Sequence, residues 1–248
     1  MADERMPSGD TETTRTSPRR AAVVSGAGSG IGRAIAVSLG RRGRALVLLG
    51  RRRERLQETL EESGAVGIVE SVDVRDAQGV SSAIEGAVAR GYLPDVVVPA
   101  AGVARVAPFG ELAPEALAEC VETNLLGSVH LYQACLPHLR EGGGHLFAIL
   151  SVAATRGFPG WVAYCASKWG LRGAVAALRE ELGPGPVRLT EIYPGATDSP
   201  LWEAVPGDWN RQAMISPEAV AKAVLWSLEA DPTAAVEAIH LQPRSGNL

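Results

Sequence analysis

The chain has 248 residues and a net charge of −4, with 46% hydrophobic and 21% charged residues, the composition of an ordinary soluble globular protein. That charge balance is too weak for a nucleic-acid footprint or a polybasic membrane patch, and no apolar run nears the roughly 18 residues of a membrane span. Three scattered cysteines (Cys120, Cys135, Cys165) make neither a disulfide framework nor a metal cluster, so the expectation is a cytoplasmic protein in a reducing compartment. In chain order, residues 1–20 are polar and carry no secretory signal. They are expected to form a disordered tail, with residues 21–248 as one domain. Short apolar runs cover 21–25, 44–50, 66–72, 95–100, 145–151, 187–193 and 236–242. Helical spacing covers 31–42, 53–62, 78–90, 114–139, 162–182 and 217–229. Most runs are continuously apolar, which suits strands covered on both faces. The alternation gives βαβ units. The expected fold is therefore α/β: a single doubly wound, Rossmann-type domain with a seven-stranded parallel sheet and helices on both faces. The connections 102–113, 151–161 and 194–216 leave the carboxyl ends of strands, where such sheets bind ligands.

The first strand runs into Ser25-Gly26-Ala27-Gly28-Ser29-Gly30-Ile31-Gly32 and then a helix. Glycines here permit a tight turn and close approach of backbone to pyrophosphate, while the helix N-terminus supplies free N–H groups. A Gly-rich turn without a ligand is the plainer alternative. The second strand ends at Gly50-Arg51-Arg52-Arg53. Gly50 stands where an NAD-binding fold would carry an acid for the ribose hydroxyls. Arg51 and Arg52 would instead attract a 2′-phosphate, so NADP(H) is expected over NAD(H). Three arginines merely solvating a helix start would be unusual, because cations are unfavourable at that end.

Tyr164 and Lys168 lie four apart in a helical stretch and share one face. A phenol titrates near ~10, and a nearby ammonium favours its ionised form. An isolated Tyr-x-x-x-Lys carries little information, but here it follows a phosphate cradle and a serine, Ser151, at the end of the preceding strand. Lysine is also scarce: of 24 basic residues, only Lys168 and Lys222 are Lys. A compact ammonium can reach two ribose hydroxyls where a planar guanidinium fits poorly.

With these motifs together, residues 21–242 resemble the short-chain dehydrogenase/reductase family. The family's Thr-Gly-x-x-x-Gly-x-Gly element corresponds to Ser25 through Gly32, with Ser in place of Thr. The resemblance implies adenine contacts from Asp73 and Val74, cofactor contacts from Ala101 and Gly102, and carboxamide-end contacts from Pro194, Gly195, Thr197 and Ser199. It implies a catalytic set of Asn124, Ser151, Tyr164 and Lys168. In that set Tyr164 exchanges the proton, Ser151 fixes the carbonyl, Lys168 binds the ribose and lowers the Tyr164 pKa, and Asn124 holds a relay water. One departure is Pro99-Ala100 where the family has Asn-Asn. It removes a backbone donor and the side chains that brace the central strand. The long fourth and fifth helices resemble the family's pairing helices, implying a homodimer or homotetramer.

The expected function is an NADPH-dependent carbonyl reductase that interconverts a ketone or aldehyde and an alcohol. Its substrate walls are expected from 152–161 and 196–214, which hold Phe158, Trp161, Leu201, Trp202, Trp209 and Met214. Such walls suit a neutral or mostly apolar carbonyl, whereas Arg105 and Arg156 would suit a carrier-bound one. Segment 200–215 is expected to act as a lid that orders on binding. Two alternatives stay open at this point: an NAD-dependent alcohol dehydrogenase and a catalytically silent dinucleotide-binding protein. His130, His138, His145 and His240 form no cluster, and no metal is expected.

Overall fold

The computed structural model describes residues 18–231 and 233–246, so most of the expected tail, 1–17, lies outside it. The elements run β1 (Arg19–Ser25), α1 (Gly30–Gly40), β2 (Ala45–Gly50), α2 (Arg53–Ser63), β3 (Gly67–Ser71), α3 (Ala77–Ala89) and β4 (Tyr92–Pro99). They continue with α4 (Pro114–Cys120), α5 (Gly127–Gly142), β5 (Gly144–Ile149), α6 (Val162–Leu182), β6 (Val187–Pro194), α7 (Pro217–Leu228) and β7 (Ala238–Leu241). The seven strands form one sheet in the order β3-β2-β1-β4-β5-β6-β7, and every pairing is parallel.

Strand residues alternate between two cores, as a two-residue side-chain period requires. On one face Ala21, Val23, Val47 and Leu49 pack with Val80 and Ile84 of α3, Leu131 of α5 and Val175 of α6. On the other, Ala22, Val24, Leu46 and Leu48 pack with Ile35 and Leu39 of α1, Leu56 of α2 and Val224 of α7. Both layers are buried, which is why the runs read as continuous apolar stretches. The order reverses between β1 and β4. The connections leaving these two paired strands run to opposite faces of the sheet, and a cleft opens at their carboxyl ends.

Several bounds differ from expectation, β4 starting at Tyr92 and not at 95 among them, and three features stand out. β1 begins at Arg19, not Ala21, because its first two residues are exposed and an apolar criterion misses them. Arg20 is held by the Asp95 carboxylate at 3.3 Å and by the carbonyls of Gly142 and Gly143. The expected single helix over 114–139 is instead α4, a π-helical stretch Val121–Leu126, and α5. Third, β4 pairs with β5 only at Val96 and Val97, although it pairs with β1 as far as Pro99. Proline lacks the N–H a longer ladder would use, so the β4–β5 seam opens just below the cleft.

Candidate active site

The turn after β1 is folded by its glycines. Gly26 and Gly30 take φ of +64° and +52°, a region that penalises side chains. A Cβ on Gly26 would lie 2.6 Å from the Ala101 nitrogen, and one on Gly32 would lie 2.5 Å from the Gly26 carbonyl oxygen. The two loops leaving β1 and β4 therefore touch backbone to backbone. Ser25 is buried beneath them, and its Oγ accepts a hydrogen bond from the Ala101 N–H at 3.4 Å. The cradle's surface carries Ser29, Gly30 and Ile31 at the start of α1. Gly32 sits one layer back, against Gly26.

From this cradle a cavity of about 680 Å³ runs along the carboxyl edge of the sheet, within the range of small-molecule sites. One end is lined by Arg51, Arg52, Asp73 and Val74. Ala101, Gly102, Pro194, Gly195, Thr197 and Ser199 line its middle, and Ser151, Tyr164 and Lys168 its floor. Of the expected site residues, Ser25, Gly32 and Asn124 are absent from the cavity lining, and so is the expected wall residue Met214, which is buried. Two arginines that sequence reasoning missed, Arg55 and Arg75, join the first end. Arg75 binds the Asp73 carboxylate at 2.7 Å. This hydrogen bond holds that carboxyl below its ordinary range against the opposing effect of burial.

The floor is rigid. Ser151 ends the β5 exit, is buried, and caps a short 3-10 turn, Val152–Ala154, by accepting from the Ala153 N–H at 3.1 Å. Tyr164 occupies the first turn of α6, and Lys168 lies one turn later on the same face. The Lys168 Nζ is 5.8 Å from the Tyr164 ring centroid and donates to the Ile149 carbonyl at 2.8 Å, next to the seam where β4 and β5 part. Burial pushes the Tyr164 phenol up to about 12, with a hydrogen bond to Ser151 pulling the other way. Burial also lowers the Lys168 ammonium to about 8. The protein alone thus keeps the phenol protonated at neutral pH, because desolvation outweighs the Ser151 hydrogen bond.

Asn124 is fully buried behind this floor, within the π-helical stretch. Its Oδ1 accepts from the Val103 N–H at 2.8 Å, and its Nδ2 donates to the Val103 carbonyl at 2.9 Å and to Ser167 Oγ at 2.9 Å. Ser167 Oγ donates in turn to the Tyr164 carbonyl at 2.7 Å. Both amide hydrogens are therefore spent on tying the β4 exit to the helix that carries Tyr164. A wide π turn commonly marks a functional position. No residue type signals one, so sequence reasoning expected an unbroken helix.

The segment after β6 folds against its own backbone. Thr197 bridges to Ile215, and Ile215 N–H donates to the Ala196 carbonyl at 2.9 Å. Two 3-10 turns, Pro200–Ala204 and Arg211–Ala213, fill its span. Arg211 pairs with Asp198 and donates to the Ser199 carbonyl. Trp161, Trp202 and Trp209 line the cavity above Tyr164.

Comparison with known proteins agrees with this fold. Residues 20–208 match the sequence model of the short chain dehydrogenase family. The chain is 35% identical to the sepiapterin reductase of Chlorobaculum tepidum over 237 residues, covering 91% of this chain and 97% of that one. It superposes with a TM-score of 0.84 and 32% identity on an alcohol dehydrogenase from Thermococcus sibiricus complexed with 5-hydroxy-NADP, covering 92% of this chain and 98% of that one. An actinorhodin polyketide ketoreductase with NADPH superposes with a TM-score of 0.81 and 27% identity, covering 93% and 98% respectively.

Proposed function

This chain belongs to the short-chain dehydrogenase family, an oxidoreductase of CH–OH and C=O groups, and from that premise we propose that it is an NADPH-dependent carbonyl reductase. The observation that carries the reading is the convergence of Ser151, Tyr164 and Lys168 on the floor of a cavity continuous with the glycine cradle. The residues fit a dinucleotide. Gly26 and Gly32 leave no room for a side chain, which lets the turn pack tightly and bring the N-terminus of α1 to the cavity, where its N–H groups suit a pyrophosphate. Arg51, Arg52 and Arg55 cluster where a 2′-phosphate would sit. With no acid at Gly50, they favour NADP(H) over NAD(H).

When bound, the reduced nicotinamide supplies a hydride and is itself oxidised. Ser151 hydrogen-bonds the substrate oxygen and holds the carbonyl in place. As the carbonyl π pair moves onto oxygen, the Tyr164 hydroxyl gives that oxygen its proton. Lys168 would hold the ribose hydroxyls of the bound nucleotide and stabilise the phenolate left behind. Asn124 positions the Tyr164 helix against the β4 exit, through Ser167 and Val103. A phenol that is protonated at neutral pH suits the reductive direction. Exposed Leu117, Leu126 and Trp169 on the α4, π and α6 surfaces support pairing as a homodimer or homotetramer.

The test is an NADPH-oxidation screen over ketones, aldehydes, quinones and β-ketoacyl thioesters, repeated with NADH. The reading expects turnover of at least one class and a preference for NADPH. Tight NADPH binding with no oxidation across the panel would end it.

A further inference from the structure

The aromatic residues of this chain are few and unevenly placed. Only 5% of residues are aromatic, and five are Trp. Three of those five, Trp161, Trp202 and Trp209, line one end of the cavity, with Phe158 beside them. The rings form a ladder that starts at the reacting phenol. Trp161 stands edge-on to Tyr164 at 5.6 Å between centroids. Trp202 follows at 5.7 Å from Trp161, and Trp209 at 4.9 Å from Trp202. The polar edges of the two outer indoles are spent on backbone: Trp202 Nε1 donates to the Thr197 carbonyl at 2.9 Å, and Trp209 Nε1 to the Pro206 carbonyl at 3.2 Å. All three rings are only half-buried, so ring surface is left for a ligand. Arg211 pins the segment carrying the outer two, through Asp198 and the Ser199 carbonyl. The wall is therefore ordered in advance, which lowers the cost of binding against it.

Resting on the carbonyl-reductase reading, we propose that the Trp161–Trp202–Trp209 ladder selects a neutral carbonyl substrate carrying a flat aromatic ring a few atoms from the carbonyl. Offset or edge-to-face stacking gains energy beyond simple area burial, which a saturated ring of equal size does not collect. A quaternary ammonium group, the other ligand that aromatic sites take, needs rings spaced around a gap. These rings touch one another, so they form a wall and not a cage. Of the charged side chains lining the cavity there, Arg105 is closed on Glu119 at 2.8 Å and Arg156 lies over the Phe158 ring at 4.8 Å from its centroid, so the Trp faces themselves present π surface.

The experiment compares benzylacetone with its cyclohexyl analogue and its trimethylammonium analogue, whose carbonyls are insulated from the distinguishing group. With NADPH and wild-type protein, kcat/KM for benzylacetone should exceed that for the cyclohexyl analogue by about three- to tenfold. Trp202→Leu should bring the ratio towards one, and Trp202→Phe should restore it in part. A second readout is calorimetric binding of the matching alcohols to the NADP+-saturated protein, where the aryl alcohol should bind tighter by a similar factor. Equal handling of aryl and cyclohexyl compounds, or preference for the trimethylammonium one, overturns the inference and leaves the reductase reading standing. Tighter aryl binding with no NADPH oxidation by any of the three sustains the inference and counts against the reductase reading. Neither binding nor turnover overturns the inference and leaves the reductase reading to the broader panel.

Discussion

The two ends of the cleft are built on opposite principles. At the end proposed as catalytic, Asn124, Ser151, Ser167 and Lys168 are all buried, and each is held by backbone. The Asn124 amide clasps Val103, Ser151 caps its own turn, and Lys168 leans on the Ile149 carbonyl. At the end proposed for the adenosine, Arg51, Arg52, Arg55 and Arg75 are exposed, Arg55 paired with Glu58 and Arg75 with Asp73, and the charge presented there is spread over several side chains. Exposed charges in water each contribute little, whereas a buried polar group that loses its partner costs its full desolvation. The catalytic end should therefore fail steeply on single substitutions, and the adenosine end gradually.

The sharpest way to break this contrast is Tyr164→Phe. Removing the proton donor should lower turnover by roughly 10²- to 10⁴-fold, with the dissociation constant for NADPH, read by fluorescence titration, within about threefold of wild type. Asn124→Ala comes next, because it strands the Val103 N–H and carbonyl and Ser167 Oγ. A loss of about 2–4 kcal/mol in urea unfolding is expected; an unchanged midpoint would mean the clasp carries no weight. At the other end, Arg51→Glu should weaken NADPH about 10- to 100-fold and NADH far less, whereas Arg51→Ala should cost only about threefold, since the neighbouring arginines share the field. Equal losses for both coenzymes would remove the argument for a 2′-phosphate site.

A milder probe uses pH. Lys168, lowered to about 8 by burial, is charged below that value and neutral above it. Tyr164, raised to about 12, keeps its proton throughout. Reductive kcat/KM should therefore be flat below pH 8 and fall up to tenfold per unit as pH rises through it. A profile flat to pH 10 would show that the ammonium's charge is not required.

How much of this was legible in the sequence differs from place to place. The sheet was legible because strands buried on both faces have no polar residues to disguise them, as in the run Ala21–Val24. Where strand ends reach solvent, as at Arg19 and Arg20, the same criterion failed, since long-range partners such as Asp95 and not local pattern hold them. Tyr164 and Lys168 were legible because one helical turn fixes their spacing. The Asn124 clasp was not, because its partners are the backbone of Val103 and a serine 43 residues further on, contacts that composition does not encode. Arg55 and Arg75 were missed because exposed arginines are common, and only the fold brings these two to the cavity of Arg51.

The central claim is that the cleft carries hydride from NADPH to a carbonyl carbon, with the proton coming through Tyr164. It is tested most directly by single turnover with NADPH deuterated at the transferring position, followed by mass analysis of the alcohol. The account predicts one deuterium on the carbinol carbon in wild type and no labelled alcohol from Tyr164→Phe on the same timescale. Labelled alcohol formed by Tyr164→Phe at the wild-type rate, or alcohol without deuterium from the wild type, would contradict it.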